Sequence, residues 1–282
     1  MAHNRPQISL LVPFRPSAAS PHRTRLWEWL KTYWGYELPD AEIVLGECTK
    51  ATFSKTAAVN DAASRANGRI FVILDSDAYL SGDPILHCAR AIEEAARRGQ
   101  KRWFIPYRRL YRLKEHATER VLATDPRWPY RFTFPPNPAD VESMTSAMYG
   151  HHFGAMVQIM PREAFETVGG MDTRFEGWGG EDVAFVRAVD TLFGRHKTVK
   201  TTIFHLWHPS IGSHVHNKMW EGQRLPNSNS LLASRYHKAT GDFRRMRNLV
   251  DEMLKKKIVR KRRRWLQRMA HWWLTTYRRF VV

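Results

Sequence analysis

The chain has 282 residues, 43% of them hydrophobic and 26% charged, and a formal net charge of +18. That is core material for one large domain or two small ones, with no run approaching the roughly 18 apolar residues of a membrane span. Arg5 and Pro6 are followed by no apolar stretch of the signal-peptide kind, so a cytosolic protein is expected. The two cysteines, Cys48 and Cys88, form neither a metal-ligand spacing nor a disulfide framework, and read as small core residues. Residues 243–282 hold 14 Lys and Arg against Asp251 and Glu252, a net +12, so most of the charge lies on a tail. The body is only mildly basic, which suits a pocket for an anionic nucleotide and disfavours nucleic acid as the partner.

Residues 8–12 form an apolar strand that runs into Pro13-Phe14-Arg15. An Arg at the carboxyl end of a strand opening an α/β domain is placed to meet a base or a phosphate; a plain exposed strand end is the alternative. Residues 24–36 read as a helix with Leu26, Trp27, Leu30 and Trp34 on one face. Residues 42–45 are a short strand, and residues 53–67 an Ala-rich helix that carries Lys55 and Asn60 and ends at Gly68. Ile70, Phe71, Val72, Ile73 and Leu74 form an unbroken apolar run, as a strand buried on both faces of a parallel sheet requires.

This strand ends in Asp75-Ser76-Asp77. Ligands of open α/β sheets lie beyond the carboxyl ends of the strands, so both carboxylates can face a hard divalent cation and the diphosphate it neutralises. A turn that caps the next helix is the other reading of Asp-x-Asp. Strands alternating with helices give a Rossmann-like, mostly parallel central sheet flanked by helices. Asp83 is expected to cap a helix over 85–98, and 103–106 to be a further strand. Residues 107–145, with Pro126, Pro129, Pro135, Pro136 and Pro138, read as an irregular excursion, a lid or acceptor-side loop.

A strand at 156–160 and a short helix at 161–168 follow, then Glu176-Gly177-Trp178-Gly179-Gly180-Glu181-Asp182. Glycines around a Trp let the backbone approach a ligand. Glu181 and Asp182 open a helix at 183–192, where the dipole is expected to lower their pKa. The strand at 198–204 ends in His205-Leu206-Trp207-His208-Pro209, imidazoles that can complete a metal shell begun by Asp77. With 13 His in the chain, no ligand role is the alternative.

The ordered set resembles the GT-A glycosyltransferases, nearest to the β-1,4-galactosyltransferase and chondroitin-polymerase-like branch, over residues 8–209. Trp178-Gly179-Gly180-Glu181-Asp182 is its most specific part. The resemblance implies that Pro13, Phe14 and Arg15 hold a uridine nucleotide, that Lys55 helps bind the donor, and that Asp75 meets the ribose. It implies that Asp77 ligates Mn²⁺, or Mg²⁺ in its place, with His205 the better match for the metal histidine and His208 its rival. Phe153, Gly154 and Ala155 would touch the donor through their backbone, Trp178 and Glu181 would meet the acceptor sugar, and Asp182 would be the base. His152 replaces the Tyr of the galactosyltransferases, and Glu176 a second Trp, which leaves the sugars open. The implied activity is transfer of a hexose or N-acetylhexosamine from a UDP-sugar to a saccharide, glycolipid or glycoprotein acceptor.

Two other classes compete. A haloacid-dehalogenase-type phosphatase also places Asp-x-Asp after an apolar strand, although Tyr79 stands where that motif has Thr or Val. A non-catalytic binder would act through residues 243–282, read as a helical tail after a catalytic unit at 1–242. There the basic cluster at 255–264 precedes Trp265, Leu266, Met269, Trp272, Trp273, Tyr277 and Phe280 at spacings of three and four. Such a helix suits an anionic membrane surface, or packs back on the body.

Overall fold

In the computed structural model every residue of β3 (Ile70–Leu74) is buried, because the strand has a neighbour on each edge and its side chains all belong to the main core. The structure describes residues 7–16, 20–50, 53–146, 156–177, 179–209 and 227–255. The main sheet has six strands in the order β2 (Glu42–Gly46), β1 (Ile8–Pro13), β3, β8 (Val157–Pro161), β5 (Phe104–Ile105) and β9 (Lys197–Thr198). β8 runs antiparallel to both its neighbours, and the other pairs are parallel. A second sheet orders β4 (Ala78–Tyr79), β10 (Thr202–His205), β6 (Arg109–Leu113) and β7 (Val141–Ser146).

Helix α1 (Pro21–Glu37) buries Trp27, Leu30 and Trp34 against the sheet. α2 (Lys55–Arg65) crosses β2 so closely that a Cβ on Gly46 would lie 2.1 Å from the carbonyl oxygen of Ala58. It begins at Lys55 because Ser54 caps it, its Oγ accepting the Ala57 N–H at 3.4 Å. α3 (Asp83–Arg97), α4 (Glu115–Leu122), α5 (Arg162–Thr167), α6 (Glu181–Leu192) and α7 (Asn227–Ala239) complete the named helices. Cys48 and Cys88 are both buried and form no disulfide, and burial pushes the Cys88 thiol up to about 12.

Three expectations fail. Asp83 lies inside α3, whose cap residue is Gly82, with no side-chain cap bond. Residues 107–145 contain β6, α4 and most of β7: the prolines begin only at Pro126, so nothing breaks the period before it. The strand expected at 198–204 is two strands, β9 and β10, belonging to different sheets. Residues 243–255 are helical, and Met246, Leu249, Val250 and Met253 are buried in the main core, so the packed body reaches at least this far. Residues 256–282, and with them the aromatic stripe, lie outside the described residues. No described helix is long and apolar enough to cross a membrane.

Candidate active site

Asp75 leaves β3 at its carboxyl end and is fixed twice by one neighbour. Its N–H donates to the Met156 carbonyl at 2.8 Å, and its Oδ2 accepts the Met156 N–H at 3.2 Å. Met156 has φ +72°, a left-handed conformation costly for a side chain of this size and held here by its two bonds to Asp75. Lys55, in the first turn of α2, reaches Asp75 at 2.7 Å and Asp182 at 2.9 Å. One buried ammonium thus ties together carboxylates 107 residues apart, and it is well above the ordinary Lys range: burial alone would lower it, but Asp182, Asp75 and Glu181 outweigh that.

Asp182 belongs to the first turn of α6. Its cap, Gly180, has φ +85°, and a Cβ there would lie 3.0 Å from Cβ of Ala233 on α7, so glycine is needed for conformation and for space alike. Asn229 of α7 holds the preceding loop from both sides, its Oδ1 accepting the Glu176 N–H at 3.2 Å and its Nδ2 donating to the Glu176 carbonyl at 2.8 Å. Glu181 Oε2 accepts the Gly179 N–H at 2.8 Å. The expected lowering of both carboxyls is overturned for Asp182, which is raised to about 7. Burial raises it most, Lys55 pulls it down, and Glu181 and Asp75 push it up again. Its Oδ1 is buried with no hydrogen-bond partner among the described residues.

One residue beyond Asp75 and Ser76, Asp77 faces β10 and the segment after it. His208 Nε2 lies 3.2 Å and His205 Nε2 3.7 Å from Asp77 Oδ2, and Arg23 Nη2 approaches the same oxygen at 3.6 Å. The Leu206 N–H donates to the Asp77 carbonyl at 3.0 Å and the Trp207 N–H to Thr118 Oγ1 at 2.7 Å, which fixes the His-bearing turn. Burial lowers His205, outweighing the pull of Asp77, so its ring is neutral and able to ligate. Asp77 would be raised by its own burial, yet His205, His208 and Arg23 hold it well below the usual carboxylate range. The imidazoles can do this only with a proton facing Asp77, so with His205 neutral the work falls to Arg23 and to the His208 tautomer that donates from Nε2.

One ligand atom from each of Asp77, His205 and His208 lies within 4.8 Å of the others, and the second oxygen of Asp77 is buried with no partner among the described residues. His208 Nδ1 is 3.1 Å from the Pro209 carbonyl, and with a cation between the ring and Asp77 the tautomer that donates there would free the Nε2 lone pair to ligate. A carboxylate with two imidazoles fits Mn²⁺ better than Mg²⁺. Both candidate histidines are therefore ligand-ready.

The other sequence candidates divide. Pro13 ends β1, and the ring of Phe14 just after it is buried in the core, 5.9 Å from the ring of Trp27. Arg15 is turned to the loop before α2, its Nη1 donating to the Lys50 carbonyl at 2.7 Å and its guanidinium 5.6 Å from the Phe53 ring. His152, Phe153, Gly154, Ala155 and Trp178 lie outside the described residues. Sequence reasoning missed Arg23 and the Met156 backbone. Pro21 marks a helix start that would have drawn Arg23 toward the strand ends, but nothing local reveals the Met156 conformation.

Residues 143–207 match the family model described as the N-terminal domain of galactosyltransferase. No curated protein matches the chain. Among solved structures, the catalytic domain of Drosophila β1,4-galactosyltransferase 7 in complex with xylobiose is similar at 16% identity and TM-score 0.42, covering 80% of this chain and 78% of that one. A mannosyltransferase from Pyrobaculum calidifontis in complex with GDP-Man and Mn²⁺ is similar at 17% identity and TM-score 0.40, over 99% and 84%. GalNAc-T7 with UDP, GalNAc and Mn²⁺ is similar at 11% and TM-score 0.47, over 84% of this chain and 48% of that one. The matched segment contains Glu181, Asp182 and His205, so over residues 143–207 the chain is similar to the galactosyltransferase domain, and that stretch carries residues of both clusters.

Proposed function

We propose that the protein is a metal-dependent inverting glycosyltransferase that moves a hexose or N-acetylhexosamine from a UDP-sugar to a hydroxyl of a saccharide, glycolipid or glycoprotein acceptor. The observation that carries this is a pair of clusters at the end of one strand: Asp182, Lys55 and Asp75 joined at 2.9 and 2.7 Å, and, two residues beyond Asp75, Asp77 with His205 and His208. Asp77, His205 and His208 would hold Mn²⁺, or Mg²⁺ in its place. When bound, the cation stabilises the charge that gathers on the diphosphate.

Lys55 engages Asp182 Oδ2, which leaves Oδ1 as the oxygen for the acceptor. Oδ1 takes the hydroxyl proton as the acceptor oxygen bonds to the anomeric carbon. The bond from that carbon to the diphosphate breaks, and its electron pair leaves with the nucleotide. A single displacement inverts the centre. A carboxyl raised to about 7 holds the transferred proton well at neutral pH. A phosphatase would need Asp75 free as nucleophile, whereas Lys55 and the Met156 N–H engage it.

The test is a panel of UDP- and GDP-sugars, run with Mn²⁺ and with chelator, the product anomer read by NMR. Transfer from a UDP-hexose or UDP-N-acetylhexosamine, lost in chelator and inverted in configuration, is expected. Turnover of no donor, or retained configuration, overturns the proposal. We place the enzyme in the cytosol, docked on an anionic membrane through residues 256–282, since residues 243–255 pack in the core. Liposome flotation of the full chain against one ending at 255 tests this, and equal flotation refutes it.

A further inference from the structure

β6 and β10 run parallel, and their register sets Arg112 beside His205. Side chains paired across neighbouring strands project to the same face from backbones about 5 Å apart. The guanidinium therefore stands on the face from which His205 reaches Asp77. Arg112 is half-buried, and its Nη1 donates to Thr145 Oγ1 on the next strand at 3.1 Å. Among the described residues no carboxylate forms an ion pair with it, whereas the nearby Arg23 is answered by Asp77 at 3.6 Å.

A half-buried cation with no counter-charge among the described residues is held at a cost, and beside a metal-binding imidazole it also works against the metal. Both costs are offset only by a ligand carrying enough negative charge for the metal and the guanidinium together. A divalent cation, Arg23 and Arg112 outnumber Asp77 in charge. The intact donor answers part of that excess, and the released nucleoside diphosphate, which gains a further negative charge as the sugar departs, answers more. A guanidinium fork also matches two phosphate oxygens in shape.

We propose that Arg112, oriented by Thr145, binds the terminal phosphate of the departing nucleoside diphosphate. The contact strengthens as the leaving group gains charge, so it favours the transition state over the bound donor. This rests on the glycosyltransferase reading, and the test separates the two.

Calorimetric titrations of the full chain with UDP, UMP, GDP and GMP in Mn²⁺ are compared for wild type, Arg112→Met, Arg112→Lys and Thr145→Val. Nucleotide-free Mn²⁺ binding is followed by electron paramagnetic resonance. Arg112→Met is expected to weaken the diphosphate about 10- to 100-fold, the range for a charged hydrogen bond, with the monophosphate unchanged. Mn²⁺ alone should bind as well or more tightly, because a like charge beside His205 has gone. Arg112→Lys should recover part of the loss, and Thr145→Val should show a smaller loss of the same selectivity. Equal weakening of mono- and diphosphate, weaker Mn²⁺ binding, or an unchanged ratio in both Arg112 variants overturns the assignment. So does a diphosphate affinity left intact while binding of an acceptor bearing a uronic acid is lost. If wild type binds neither diphosphate in Mn²⁺, the glycosyltransferase reading falls first.

Discussion

Replacing Lys55 by Met keeps the aliphatic stem and removes the ammonium, leaving Asp75 and Asp182 to face each other, 2.7 and 2.9 Å from where the charge was. Breaking a buried pair by deleting one partner costs about 3–5 kcal/mol. In a body of this size each kcal/mol shifts Tm by roughly 2–4 °C, so a fall on the order of 10 °C is expected. The pH dependence separates a charge effect from lost packing. In the wild type Lys55 is held above its ordinary range, a contribution fully present below the unfolded Lys pKa, while Asp182, raised to about 7, gives up stability as pH rises through that value with the ammonium still there to answer it. In the variant Asp182 loses the one group that pulled it down and is raised further, so the folded state is relieved by its proton at pH 5 and loses more stability than the wild type as pH rises to 8. Scanning calorimetry of both proteins in chelator at pH 5 and pH 8 should show the gap in Tm widen with pH. An equal gap at both, or one of only a degree or two, refutes the view that Lys55 neutralises the cluster.

Asp182→Asn should cut turnover about 10²- to 10⁴-fold while nucleotide affinity in Mn²⁺ stays within a few-fold of wild type; near-normal turnover would remove Asp182 as base. In the wild type kcat/KM should rise with pH through about 7, because the raised carboxyl must lose its proton to accept another, and a rate flat from pH 5 to 8 would contradict this. Asp77→Asn should weaken Mn²⁺ binding at least 10-fold, since neutralising the one carboxylate leaves two imidazoles, and unchanged affinity by paramagnetic resonance would place the metal elsewhere. Gly46→Ala should lower stability by about 1–3 kcal/mol, because the Ala58 carbonyl 2.1 Å from the new Cβ is backbone and must move with α2; an unchanged urea midpoint would show that β2 and α2 part freely.

What could be seen in the sequence, and what could not, follows from the range of the forces involved. The apolar run of β3 and the carboxylates after it are local, and local periodicity places both Asp75 and Asp77 correctly at the end of a central strand. The prolines from Pro126 onward are local too, but they constrain nothing before them, and there β6 sets Arg112 beside His205 by a pairing between residues 93 apart. The Lys55 bridge joins positions 127 residues apart to Asp182, a distance no spacing rule covers. The sign of the Asp182 shift is the clearest case. A helix N-terminus lowers a carboxyl by an interaction of about 0.3–1 kcal/mol, while full burial can raise one by roughly 3–5 pKa units, several times as much. Only the dipole can be read from the order of residues, because burial depends on what packs over α6 from elsewhere, here α7 with Asn229 and Ala233 against the glycine-rich loop. The weaker effect was legible and the stronger was not, so a carboxylate expected to be a strong acid becomes, in the folded chain, a group that can hold a proton at neutral pH.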